Sequence, residues 1–159
     1  MHKIWSKGIY NMEQILNVVK NQVAQLRICK QENDKFQFSV IKSSLVVLLR
    51  KWCDTKPIVF VSVNALKEAN KKNIDLSKMT WRDQTRFDPK RQIFHYEHKY
   101  PISDMINDML LEIDTIQGVL DNYEVGWILK EEDRRLKSYN RTDHELEYSE
   151  NGIEIKRFL

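Results

Sequence analysis

Apolar residues recur at helical spacing through the first third of this chain. Met12, Leu16, Val19, Val23 and Leu26 follow a 4-3-4-3 step, which lays them along one stripe of a helix. The pattern predicts a helix over Met12 to Cys29, with Asn11 as its N-cap and Gln14 answering it in a capping box. Gln31 to Lys35 is a polar break. Phe38, Ile41, Leu45, Leu48 and Trp52 then form a second stripe, widened by Val40, Ser44, Val47 and Arg50. This is the densest apolar run in the chain, so its helix should be the most buried, with Leu45, Leu48 and Trp52 in the core. Asp54 to Pro57 ends it.

Pro57 to Asn70 carries two signals. Ile58-Val59-Phe60-Val61 is β-branched and strand-like. Val59, Val63, Leu66 and Ala69 nevertheless fall near helical spacing, and this favours a helix throughout. Lys71 to Asp88 reads as a polar connection with Trp81 and Phe87 as anchors. From Ile93 to Lys99 the chain alternates as a strand, with Phe94, Tyr96 and His98 on one face and His95, Glu97 and Lys99 on the other. Pro101 stops that strand, and Ser103 caps a helix containing Met105, Ile106, Met109, Leu110 and Ile113. A short helix over Thr115 to Leu120 and a strand over Tyr123 to Leu129 follow, and Lys130-Glu131-Glu132-Asp133 opens another helix. At the end, E-L-E-Y-S-E and I-E-I-K-R-F flank Asn151-Gly152. Asn-Gly between alternating runs predicts a β-hairpin. The fold class expected is α+β: a helical N-terminal half with a small antiparallel sheet that includes this C-terminal hairpin.

A chain of 159 residues with 42% hydrophobic residues can bury a core without staples, as one domain over residues 1–159. The net charge of +3, from 26 basic and 23 acidic residues, is too small to imply nucleic acid unless the cations cluster. Cys29 and Cys53 form no C-x-x-C pair, which suggests a reducing compartment. The start, M-H-K-I-W-S-K-G, lacks the apolar core of a signal peptide, and no run approaches a membrane span. The expected location is therefore the cytoplasm, with no membrane partner. Abundant Lys, Asn and Ile suggest an A/T-rich bacterial or phage gene. With four glycines and no glycine-rich loop, a nucleotide-binding loop is not indicated.

The candidate chemistry lies between Arg91 and Leu111. His95-Tyr96-Glu97-His98 has no zinc spacing, because its histidines are three apart on opposite strand faces and no cysteine or acidic partner completes a site. No metal is expected from it. Glu97-His98-Lys99-Tyr100-Pro101-Ile102-Ser103, an E-H-x-x-P-x-S pattern, resembles the first strand of HNH nucleases. That resemblance implies His98 as general base and Glu97 as the adjacent metal ligand. Glu97-x-Lys99 is similar to the E-x-K half of PD-(D/E)XK nucleases, with Asp83 or Asp88 upstream as the first Mg²⁺ ligand. No second ligand histidine follows His98 where the HNH pattern would place one.

Cations cluster at Arg82, Arg86, Lys90, Arg91 and Lys99, and again at Arg134, Arg135, Lys137 and Arg141. With Trp81, Tyr96 and Tyr100 interleaved, the first cluster suits phosphate or an acidic protein. A small chain with such a cluster and no complete catalytic constellation reads as a non-catalytic binding or regulatory protein, without cofactor. In size and style it resembles phage-encoded anti-CRISPR inhibitors, which implies a Cas9-type nuclease as protein partner. The partner-binding residues are then Trp81, Arg82, Arg86, Lys90, Arg91, Tyr96, Lys99 and Tyr100. The alternative is a metal-dependent nuclease of HNH-like or PD-(D/E)XK type that uses Glu97, His98 and Lys99 with Mg²⁺.

Overall fold

The computed structural model describes residues 12–112, 114–139, 141 and 143–158. The chain divides into two compact units, one from residues 1–55 and 105–122, the other from 56–104 and 123–159. Asn11 and the opening segment lie outside the described residues.

The first unit is helical. Helices α1 (Met12–Gln31) and α2 (Lys35–Cys53) are joined by a tight turn with Asn33 in the left-handed region. Asp34 caps α2 by accepting a hydrogen bond from the Gln37 amide at 2.9 Å. The two helices pack together, and their buried positions are Val19, Val23, Leu26 and Cys29 on α1 and Leu45, Leu49, Trp52 and Cys53 on α2. The expected stripe on α2 is off by one residue at its centre. Leu49 is fully buried and Leu48 only half-buried, because the step from Leu45 is four residues, not three.

The second unit holds a four-stranded mixed sheet of order β2-β3-β1-β4, with β1 (Ile58–Ser62), β2 (Phe94–His98), β3 (Val125–Leu129) and β4 (Ile155–Arg157). β1 and β3 run parallel at its centre, and β2 and β4 are antiparallel edges. The sheet is thus mixed, where an antiparallel one was expected. Ile58 to Ser62 is a strand, and the helix α3 (Val63–Lys71) begins only after Ser62, whose hydroxyl accepts from the Ala65 amide at 3.0 Å. A central parallel strand buries both faces, so its sequence is continuously apolar and can be confused with a buried helix.

The C-terminal hairpin is also replaced. Its first strand is a helix, His144–Glu150, capped by Asp143, which accepts from the amides of Glu145 and Leu146. Gly152, at φ 65°, ends the helix: the Ile153 amide donates to the Tyr148 carbonyl at 2.8 Å and the Gly152 amide to Ser149 at 3.1 Å. This is the Schellman closure. Asn-Gly provides a left-handed residue to either a hairpin turn or a helix stop, and here the Asp143 cap upstream selects the helix. The α+β class and the helical N-terminal half stand, and the chain does finish on a strand.

Helix α4 (Gln84–Phe87) precedes β2, α5 (Ile102–Leu111) follows it, and α6 (Ile116–Asp121), capped by Thr115, precedes β3. Helix α7 (Lys130–Asp133) springs directly from β3, and α8 is the helix His144–Glu150. Phe60, Ile128, Tyr148 and Ile153 form the core on one face of the sheet. Gly126 is required there, since a Cβ on it would lie 2.3 Å from the Phe60 ring.

Candidate functional site

Strand β2 divides the suspected chemistry between two faces. Successive side chains on a strand point to opposite sides. His98 therefore joins Tyr96 and Tyr123, with its ring edge-on to both at centroid distances of 5.6 and 5.7 Å. Its Nδ1 forms a short hydrogen bond with the Tyr123 hydroxyl. Glu97 faces the other way and is almost fully buried. The geometry does not bring Glu97 and His98 together around one ion, as the HNH resemblance requires.

Glu97 is held by groups distant in sequence. Its Oε1 accepts from Arg141 Nη1 at 2.7 Å and from the Tyr148 hydroxyl at 3.1 Å. Burial pushes the Glu97 carboxyl up, but His95 and the Arg141 guanidinium outweigh it and hold the group below the usual carboxylate range. The Tyr148 phenol is pushed up, first by burial and then by the Glu97 charge. Arg141 also donates from Nε to the Lys137 carbonyl at 2.6 Å, and its own amide donates to Asp104 at 3.1 Å. Arg141, counted by sequence in the second basic cluster, is thus a buried structural cation.

Lys99 shares the Glu97 face but is engaged elsewhere. Its Nζ lies 3.1 Å from Glu124 and 2.5 Å from Glu145, and Arg157 bridges the same two carboxylates. The upstream acids of the E-x-K pattern are committed to the backbone. Asp88 is buried and accepts from the amides of Gln92, Ile93 and Phe94. Asp83 accepts from the Thr80 amide and hydroxyl.

One further group comes together on the Glu97 face. His95 Nε2 stands 3.5 Å from Glu97 Oε2 and 3.4 Å from Asp133 Oδ1. Among the described residues this is the one group of His, Cys, Asp or Glu side chains placed to share a metal ion. Asp133 directly follows Glu132, a fully buried carboxylate of α7. Glu132 accepts from Ser62 Oγ at 2.5 Å, Asn64 Nδ2 at 3.0 Å and the Leu129 amide at 2.9 Å. These bonds tie the helix that follows β3 to the one that follows β1.

The other concentration of residues that the sequence singles out is the segment from Thr80 to Gln92. Arg91 lies over the Trp81 ring, its Cζ 4.1 Å from the centroid. Lys90 and Arg91 are consecutive non-glycine residues at positive φ, 64° and 51°. Such a pair costs free energy and persists only where its surroundings over-determine it. Asp88 does so here by gathering the next three amides, while Phe87 packs edge-on against Phe94 and Trp127. Arg82, Arg86 and Lys90 are exposed, and Trp81 is 38% exposed, so it does not serve as the buried anchor its sequence suggested.

Of the eight residues with which sequence placed partner binding, five lie in this segment: Trp81, Arg82, Arg86, Lys90 and Arg91. Tyr96 and Tyr100 are buried and Lys99 is bound to two glutamates. Asp133, Arg141 and Tyr148 were not legible as neighbours of Glu97, since they follow it by dozens of residues with no motif joining them. No protein-family model, curated protein sequence or solved structure matches this chain. No helix among the described residues is long and apolar enough to cross a membrane.

Proposed function

We propose that the chain is a non-catalytic binding protein whose recognition element is the segment 80–92, presented to an acidic face of a protein partner. The supporting observation is the Arg91–Trp81 stack, held on a backbone with two consecutive left-handed residues. Arginine and tryptophan are the side chains most enriched where binding energy concentrates, and a pre-formed loop loses little entropy on docking. Three further cations of the segment, Arg82, Arg86 and Lys90, are exposed, with Arg86 3.4 Å from Asp83. The intervening Asp83 makes the patch less positive than a phosphate-tracking surface, which favours an acidic protein over bare nucleic acid. The resemblance to anti-CRISPR inhibitors points to a Cas9-type nuclease as the partner to try first.

The nuclease alternative draws less support. Glu97 and His98 face opposite sides of β2, and Lys99, Asp83 and Asp88 are each tied to internal partners.

The test is interferometry of the purified chain against a guide-loaded Cas9-type nuclease and, separately, duplex DNA, with a cleavage assay alongside. Binding to the nuclease that falls by more than about tenfold in Trp81→Ala and Arg91→Ala supports the reading. Binding to DNA alone, with the same losses, would replace the protein partner by nucleic acid. Metal-dependent cutting by the chain itself that stops in Glu97→Ala and His98→Ala would overturn the proposal.

A further inference from the structure

We infer that His95, Glu97 and Asp133 form a binding site for one divalent transition-metal ion, with at least one coordination position left open to solvent. This goes beyond the binding role proposed for the basic segment and uses none of its residues.

The spacing carries the inference. His95 Nε2 lies 3.5 Å from Glu97 Oε2 and 3.4 Å from Asp133 Oδ1, and all three ligand atoms are within 4.8 Å of one another. These two distances are long for hydrogen bonds. They match the edges of a coordination polyhedron, because metal–ligand bonds of about 2.0–2.2 Å place neighbouring ligand atoms about 3.0–3.5 Å apart. One ion bound to all three atoms would take the place of both contacts.

The surroundings suit such an ion. Arg141 and Tyr148 both bind Glu97 Oε1, which leaves Oε2 directed at His95 and fixes the carboxylate's orientation. Hydrogen bonds of this kind from outside the ligand set are what orient metal-binding carboxylates. Glu132, the residue before Asp133, anchors α7 through its own bonds to Ser62 and the Leu129 amide. The ligands combine fixity with access: Glu97 is 3% exposed at its side chain, His95 33% and Asp133 38%. An imidazole with two carboxylates selects zinc, iron, cobalt or nickel over magnesium and calcium, which prefer oxygen alone. Three protein ligands fall one short of the closed tetrahedral set, so a water or an oxygen of a bound molecule completes the sphere.

The experiment uses the full chain, dialysed against chelator and titrated calorimetrically with Zn²⁺, then with Co²⁺ followed by visible absorption. The expected result is one saturable equivalent, a cobalt ligand-field band, and no displacement by millimolar Mg²⁺. His95→Gln and Asp133→Asn should each weaken Zn²⁺ binding by at least about tenfold and abolish the band. Thermal melts by circular dichroism confirm that both variants fold, and a variant that fails to fold is replaced by Asp133→Ala, whose side chain is partly exposed. A wild-type chain without a saturable equivalent, or folded variants that bind as the wild type does, would overturn the site.

Discussion

Arg141 and Arg91 belong to the same compact unit and to the two basic clusters visible in the sequence, yet they do opposite work. Arg141 is buried, with its guanidinium on Glu97 and on two backbone carbonyls. Its charge is consumed inside the molecule. Arg91 lies on an indole face at the surface, on a backbone strained to hold it there. The difference teaches that an arginine in a basic stretch of sequence is available to a partner only where the fold leaves its guanidinium at the surface. Where a carboxylate has been buried first, the same residue type is a structural requirement.

The sharpest way to break the comparison is to remove the buried cation. Arg141→Ala leaves Glu97 as an uncompensated buried charge and should cost about 3–5 kcal/mol of stability in urea unfolding. A cost below 1 kcal/mol would mean that the pair is effectively solvated.

Acid should reveal the same asymmetry. Glu97 is held low by His95 and Arg141 against its burial; Glu124 by Arg157 and Lys99 against its own; Glu145 chiefly by Lys99. With folded values below the unfolded ones, the unfolded chain binds protons first as pH falls. Their contribution is full above about pH 5 and is lost as pH drops through about 4 and onward through the folded values. Unfolding free energies measured from pH 7 to pH 3 should fall in that window, and less steeply in Arg141→Ala.

Asp88→Ala tests what holds the exposed segment. It leaves the amides of Gln92, Ile93 and Phe94 without their acceptor, so a loss of about 1–3 kcal/mol is expected. Partner binding through the Arg91–Trp81 stack should weaken with it. Lys90→Gly relieves a left-handed non-glycine residue and should stabilise by no more than about 1 kcal/mol. Any loss of binding in that variant, read by interferometry, reports the lysine charge and the loosened loop rather than unfolding. Least of all, Arg86→Glu at its exposed position should change stability by under about 0.5 kcal/mol. It should slow association with an acidic partner, more at low salt than at high.

The sequence alone determined the elements whose signal is local. The stripes of α1 and α2 follow from 3.6-residue periodicity, and the alternation of β2 placed His95, Glu97 and Lys99 on one face and His98 on the other before any contact was known. Turn chemistry was legible, though not its outcome: Asn151-Gly152 marks a left-handed residue that closes a helix where a hairpin was expected, and Ser103, expected as a cap, lies inside α5. The strand at Ile58 was hidden because a parallel central strand is apolar on both faces, and its partner β3 is distant in sequence, Phe60 pairing with Gly126 and Val61 with Trp127. The carboxylate corner was hidden for the same reason. Asp133, Arg141 and Tyr148 reach Glu97 only after β3, α7 and α8 have packed. Periodicity reports which face a residue occupies, but the identity of what lies across from that face is settled by long-range pairing, and pairing leaves no local pattern in the chain.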